Sequence, residues 1–286
     1  MLIALLIIII GFLGLIWGAD KFVEGASSLA KSLGVSPLLV GLTIVAFGTS
    51  APEIFSSAVA AIESKPELAI GNSFGSNLFN VGIVLGISVL IKPLQAPTAM
   101  LHKEIPVLLL VTLTTGLLLL DLHLGVLDAI LLVTIATFLT YQLVKYQLNP
   151  RKASQETPKK LSGQRINKVS LLKATAYLIV GLLILIVSAE ALVQAASDIA
   201  ELLGVSTGII GLTIVALGTS LPELAASITS VLRNQDELAI GNIVGSNILN
   251  LLTVLPFPGL LAPGAFSASL LYRDFSVVTI LTILLC

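Results

Sequence analysis

One cysteine in 286 residues, Cys286, excludes an internal disulfide and any CxxC or CxxH ligand set, so zinc, iron–sulfur and haem-attachment chemistry lack their usual ligands. The only histidines are His102 and His123. No Ser-His-Asp or His-Glu-x-x-His arrangement can be drawn, which leaves an intramembrane hydrolase or lipid-modifying transferase built on Ser50 or Glu53 as a remote alternative. Charge is scarce too: 11% of residues are Asp, Glu, Lys or Arg, against roughly 25% in soluble domains. The formal net charge of -1 gives nucleic acid nothing to recognise. What replaces charge is apolar surface, 56% hydrophobic residues with a mean hydropathy of +1.05, and a soluble globular protein is excluded.

Charge-free runs mark where the chain can cross a bilayer, since a crossing helix needs about 20 mostly apolar residues. Nine runs stand out: Met1 to Ala19, Ser32 to Pro52, Leu68 to Ile91, Ile105 to Leu120, Ala129 to Val144, Ala174 to Ala189, Leu202 to Pro222, Leu238 to Tyr272 and Phe275 to Cys286. The last is too short to span. The first lacks the basic start of a secretory signal and reads as a membrane helix. Residues 145–173 carry eight of the fifteen Lys and Arg, and with their Pro, Ser and Gly content they read as a mobile cytoplasmic linker. With that segment inside and five spans before it, the N-terminus lies outside, in a prokaryotic inner membrane.

The chain repeats itself. A shift of 170 residues aligns GVSPLLVGLTIVAFGTSAPE (34–53) with GVSTGIIGLTIVALGTSLPE (204–223), and ELAIGNSFGSNLFN (67–80) with ELAIGNIVGSNILN (237–250). Over 34–80 against 204–250 there are 25 identities in 47 positions without a gap. Five spans per half is an odd number, so the second copy enters the membrane from the opposite side and the repeats are inverted, an arrangement that recurs in secondary transporters. The predicted organisation is a first repeat at 1–145, a linker at 146–170 and a second repeat at 171–286, all α-helical. The second repeat has no counterpart of Leu127 to Val144, so a final helix is missing or truncated.

Glu53 and Glu223 fall well inside apolar runs at equivalent positions of the repeat, with no basic residue at that depth. Burial of a carboxylate must be compensated, and two like charges brought together call for cations or protons between them. Each Glu ends a Gly-Thr-Ser-x-Pro-Glu motif. A mid-helix proline removes one donor and leaves carbonyls free at Gly48 and Gly218, or at Ala46 and Ala216. Together with Thr49, Ser50, Thr219 and Ser220 these make an oxygen-only set suited to Na⁺ or Ca²⁺. Asn72, Ser76 and Asn80 recur every four residues, as do Asn242, Ser246 and Asn250, and form a polar stripe on each following helix. Gly71 with Gly75, and Gly241 with Gly245, allow the plainer reading of close helix packing.

With these motifs in hand, the sequence resembles the cation/calcium exchanger superfamily and, within it, the prokaryotic sodium/calcium exchangers. The resemblance runs from GADKFVEGASSLA (18–30) through both copies of GLTIVAxGTSxPE and ELAIGNxxGSNxxN. It implies ten helices in two inverted halves, with ion sites between the second, third, seventh and eighth. It also implies that Glu53 and Glu223 bridge Ca²⁺ and that Thr49 and Thr219 give it backbone carbonyls. Carbonyls of Ala46 and Ala216, with Ser50, Ser220, Ser76 and Ser246, then serve Na⁺, and Asn80 and Asn250 lie beside the centre. Similar members can carry Asp where this chain has Asn250, which leaves two carboxylates at the centre. The expected activity is Na⁺/Ca²⁺ antiport that exports Ca²⁺, without a cofactor and with lipid as the surroundings; H⁺ or K⁺ as the counter-ion is the alternative.

Overall fold

The computed structural model describes residues 2–147, 171–205, 213–214 and 216–285. The expected linker, from residue 148 onward, and residues 206–212 and 215 of the run Leu202 to Pro222 fall outside them. The described chain is helical apart from one short antiparallel pair, β1 (His123–Leu124) with β2 (Gly264–Ala265), in which His123 faces Ala265. In the first half α1 is Leu2–Leu33, α2 Pro37–Val40, α3 Ala46–Thr49, α4 Ala51–Ile62, α5 Pro66–Phe79, α6 Gly86–Ile91, α7 Thr98–His102, α8 Glu104–Leu118 and α9 Val126–Gln147. The second half has α10 Leu171–Leu202, α11 Ala216–Thr219, α12 Leu221–Leu232, α13 Asp236–Leu249, α14 Pro256–Leu261 and α15 Ser276–Leu285. Wider π-helical turns join α2 to α3 (Gly41–Val45), α5 to α6 (Asn80–Leu85) and α13 to α14 (Asn250–Val254).

The surface is rich in large apolar side chains while several charged and hydroxyl groups are buried. Glu53, Ser50 and Ser220 are 0% exposed and Glu223 is 1%, whereas Leu90 is 86%, Leu127 82% and Leu172 81% exposed. Apolar side chains directed outward, with polar groups buried among apolar clusters inside, suit a hydrocarbon solvent. Among the described residues five helices are long and apolar enough to cross a membrane, and a sixth arises if the pair Pro37–Thr49 and Ala51–Ile62, bent by 44°, counts as one span.

Three expectations about spans are corrected. Helix α1 does not stop at Ala19 but continues to Leu33, because Lys21 pairs with Glu24 on the same helix and Asp20 with Arg233 of the other half. The run Leu238 to Tyr272 is not one span: α14 ends at Leu261, the chain turns through β2, and a new helical segment starts near Leu270. The prolines of the two Glu motifs are not mid-helix, since Pro52 and Pro222 each lie in the first turn of a new helix, α4 and α12.

The repeat is visible in the element boundaries. Shifted by 170, α4 (51–62) becomes 221–232, α5 (66–79) becomes 236–249, and the π turn opening at Asn80 falls on Asn250. The equivalent helices α1 and α10 pack antiparallel: Gly11 meets Leu192, Gly18 meets Leu185 and Gly25 meets Leu178. The contact is backbone to backbone, so that a Cβ on Gly18 would stand 2.7 Å from the Leu185 nitrogen. Helices without a hydrophobic driving force between them associate through such small-residue contacts. Around this pair Phe22, Val45, Leu185 and Leu238 belong to one buried apolar cluster.

Candidate cation site

Ser50 and Ser220 are the hinges of the site. Each has left α-helical geometry (φ -81°, ψ 4° and φ -91°, ψ 7°), and each separates a four-residue helix from the helix that carries its Glu. Proline in the following first turn costs no hydrogen bond, because a donor there has no intrahelical acceptor, and its fixed φ favours a helix start. Glu53 and Glu223 therefore stand in the first turns of α4 and α12. There the partial positive charge of the helix end stabilises a carboxylate. The four-residue helices α3 and α11 end at the same breaks.

The two halves meet through these residues. Ser50 Oγ donates to Glu223 Oε1 at 2.9 Å, and Ser220 Oγ donates to Glu53 Oε1 at 2.9 Å. Ser246 Oγ lies 3.0 Å from Ser50 Oγ, and Ser76 Oγ lies 3.3 Å from Ser220 Oγ. Each carboxylate is thus gripped by the serine of the other repeat. Six of the expected site residues, Glu53, Glu223, Ser50, Ser220, Ser76 and Ser246, come together in one buried cluster. Asn80 and Asn250, each 1% exposed, open the π turns of the flanking helices. π turns occur disproportionately at functional sites, where they re-aim a side chain.

Two expectations change. The Ala46 carbonyl is not released: it accepts the Ser50 N–H at 2.9 Å and lies 3.4 Å from the Thr49 hydroxyl, so any ion it serves must share it. Ala216 and Thr219 bound the equivalent short helix α11. Asn72 and Asn242 do not direct their amide nitrogens at the centre. Asn72 Nδ2 donates to the Glu53 carbonyl (3.1 Å) with Ser57 Oγ at 3.4 Å, and Asn242 Nδ2 reaches the Glu223 carbonyl (3.5 Å) and Ser227 Oγ (3.0 Å). These two asparagines tie each Glu-bearing helix to its neighbour, the packing role that the sequence left open for them. Thr49 Oγ1 meets Asn242 Oδ1 at 3.1 Å, again between the halves. The sequence reading missed Ser57 and Ser227; both are identical across the repeat, which was the signal available.

What remains is a set of buried polar atoms with no hydrogen-bond partner among the described residues: Glu53 Oε2, Glu223 Oε2, Asn250 Oδ1, and both side-chain polar atoms of Asn80. Orphaned buried oxygens are costly, and two of these belong to carboxylates. The four oxygens among them, Glu53 Oε2, Glu223 Oε2, Asn250 Oδ1 and Asn80 Oδ1, are ligands of the kind that suits hard cations.

This candidate site lies between the halves of a helical membrane protein whose family and structural likeness give its class, a membrane transporter rather than an enzyme. The chain belongs to the sodium/calcium exchanger protein family, which it matches over residues 3–145 and 173–286. It is similar to CaxA of Alkalimonas amylolytica, 41% identical over 286 residues, covering 100% of this chain and 89% of that protein. The sodium/calcium exchanger MaX1 of Methanosarcina acetivorans is 30% identical over 335 residues, covering 98% and 89%. A solved structure of the sodium-calcium exchanger NCX_Mj, soaked with 2.5 mM Na⁺ and 0.1 mM Ca²⁺, superposes with a TM-score of 0.85 at 32% identity, covering 99% of this chain and 89% of that one.

Proposed function

We propose that this protein is a secondary antiporter that exchanges Na⁺ for Ca²⁺ at the Glu53–Glu223 centre. The observation that carries the reading is the reciprocal clasp, Ser50 on Glu223 and Ser220 on Glu53, which leaves one free oxygen on each carboxylate. Two carboxylates balance one Ca²⁺, and Na⁺ competes for the same oxygens, so neither ion is carried back until the other has left. Glu53 and Glu223 bridge Ca²⁺; carbonyls of Thr49 and Thr219 complete its shell. Ser50, Ser220, Ser76 and Ser246, with the shared carbonyls of Ala46 and Ala216, serve Na⁺, while Asn80 and Asn250 flank the centre. The names of MaX1 and NCX_Mj, both sodium/calcium exchangers, support this choice of ions.

The halves 1–145 and 171–286 act as inverted repeats joined by the linker at 146–170, and alternating access arises as they exchange conformations. The antiparallel packing of the equivalent helices α1 and α10 supports that symmetry. The N-terminus lies outside a prokaryotic inner membrane, on the strength of the Lys and Arg clustered in 145–173, and an inward Na⁺ gradient drives transport toward Ca²⁺ extrusion.

The test is ⁴⁵Ca uptake into proteoliposomes holding the purified full chain, with Na⁺, K⁺ and H⁺ gradients imposed one at a time. A Na⁺ gradient drives uptake, and Glu53→Gln and Glu223→Gln each abolish it in protein that remains folded. Breaking a buried charge pair costs about 3–5 kcal/mol, which is at least a hundredfold in affinity. Uptake driven by a pH or K⁺ gradient alone would replace Na⁺ as the counter-ion; near-normal flux in either mutant would refute the site.

A further inference from the structure

Asn77 and Asn247 belong to none of the ion-ligand positions, yet both are buried between the halves, 2% and 1% exposed. They are equivalent across the repeat, as are Asn80 and Asn250. Asn77 Nδ2 donates to the main-chain carbonyl of Asn247 at 3.3 Å. A carbonyl only accepts, so the nitrogen of Asn77 is committed to it and its Oδ1 must face the other way. Facing that oxygen at 3.0 Å is Asn250, whose Nδ2 donates to it. Asn250 is in turn left with its Oδ1 buried and without a hydrogen-bond partner among the described residues, while Ser73 Oγ holds its main-chain carbonyl at 2.6 Å. The chain of donors settles which end of the Asn250 amide is spent on protein and which is left for something else.

The mirror-related set is open. Asn247 Oδ1, the equivalent of the oxygen that grips Asn250, has no partner among the described residues, and Asn80 has neither side-chain atom bonded there. The same four asparagines thus show one closed clasp, Asn77 on Asn250, while the equivalent pair, Asn247 and Asn80, makes no such bond among the described residues.

We propose that Asn77 and Asn247 are positioning residues that aim the side-chain oxygens of Asn250 and Asn80 at the transported cation, one clasp closing as the other opens when the halves exchange conformations. The inference rests on the antiporter reading above. Its physical basis is the asymmetry of an amide: turned one way it offers a cation a partly negative oxygen, turned the other way a partly positive NH₂ that repels it. An aspartate has no such choice, because both its oxygens are equivalent and it needs no aiming.

That difference supplies the test. ⁴⁵Ca transport is measured in proteoliposomes for the full chain and for Asn77→Ala, Asn77→Leu, Asn250→Asp and the two corresponding double variants, with apparent KM and maximal rate read separately. Leu, close to Asn in size, keeps the space filled and stands in for Ala if the smaller side chain destabilises the fold. With Asn250 in place, loss of the clasp raises the apparent KM for Ca²⁺ about three- to tenfold, the scale of one hydrogen bond's orienting effect, with a smaller change in maximal rate. In the Asn250→Asp background the same substitutions leave KM where Asn250→Asp alone puts it. An equal effect in both backgrounds, or none in either, overturns the inference while leaving the antiporter reading intact. Absence of Ca²⁺ transport by the unaltered chain would refute that reading, and this one with it.

Discussion

Two ion pairs join the halves at one end of the bundle. Arg233, just past α12, donates through Nε and Nη2 to Asp20 Oδ1 on α1, with Glu24 Oε2 3.5 Å away. Lys92, just past α6, reaches Asp236 at 3.1 Å. Both pairs join one half to the other. Shifted by 170, Asp20 becomes Glu190 and Arg233 becomes Glu63, so the conformation with the halves exchanged would set two carboxylates where this one has an ion pair. The side chains of Arg233 and Asp20 are 35% and 39% exposed, which places the pair in the screened regime. Such contacts contribute about 0.2–1 kcal/mol each. With two carboxylates on Arg233, its replacement by Gln should release roughly 0.5–2 kcal/mol and shift the balance of the two conformations about two- to thirtyfold toward opening of this end. Spin labels placed across that end, in a background lacking Cys286, read the two populations in the ion-free protein. High salt should mimic the mutation in the unaltered chain, because these charges are exposed enough to be screened. Glu63→Arg, which builds the missing pair at the opposite end, should shift the balance the other way. An unchanged distribution in Arg233→Gln, or a swap of Asp20→Arg with Arg233→Asp that fails to restore it, would refute the latch.

The repeat was legible in the sequence because duplication preserved register as well as residue type, and element boundaries in the two halves therefore coincide at the same shift. The Glu, Thr and Ser motifs were legible for a simpler reason: a charge in an apolar run has to be offset by a local oxygen-rich neighbourhood, and the motif spells it out. Other features left no such trace. A proline in a helical pattern can mean a kink or a fresh start, and only the turn of the backbone at Ser50 decides between them. A π turn differs from an α turn in its hydrogen-bond partner, not in its side chains, so the change of direction at Asn80 and Asn250 is invisible to a four-residue periodicity. That periodicity grouped Asn72 with Asn80 on one face, although the structure gives them different tasks. The continuation of α1 through Asp20, Lys21 and Glu24 depends on Arg233, more than 200 residues away in the chain, and no local rule connects them.

Further outcomes follow from the packing and the clasp. A Cβ on Gly241 would stand 2.6 Å from the Leu38 carbonyl, and one on Gly245 2.6 Å from the Leu42 carbonyl and 2.7 Å from Ala46 Cβ. Ala at either position should therefore lower stability by about 1–3 kcal/mol, read as earlier thermal aggregation in detergent; an unchanged transition would show that α13 can move away from the first Glu motif at no cost. Ser50→Ala and Ser220→Ala should act alike, since each removes one of two equivalent grips on a carboxylate. Their effect should also depend on the ion. Ca²⁺ draws most of its binding from the two carboxylates, which both variants retain, whereas Na⁺ carries half the charge and depends more on neutral oxygens. Loss of one hydroxyl ligand should weaken Na⁺ about fivefold, on the scale of about 1 kcal/mol for a neutral polar contact, and change Ca²⁺ much less. Titrating Na⁺ against a fixed ⁴⁵Ca concentration in proteoliposomes separates the two: Na⁺ should compete less well in both variants. If Ca²⁺ affinity falls as far as Na⁺ affinity, the serines serve to hold the carboxylates in place for either ion, and the assignment of these hydroxyls to Na⁺ is wrong.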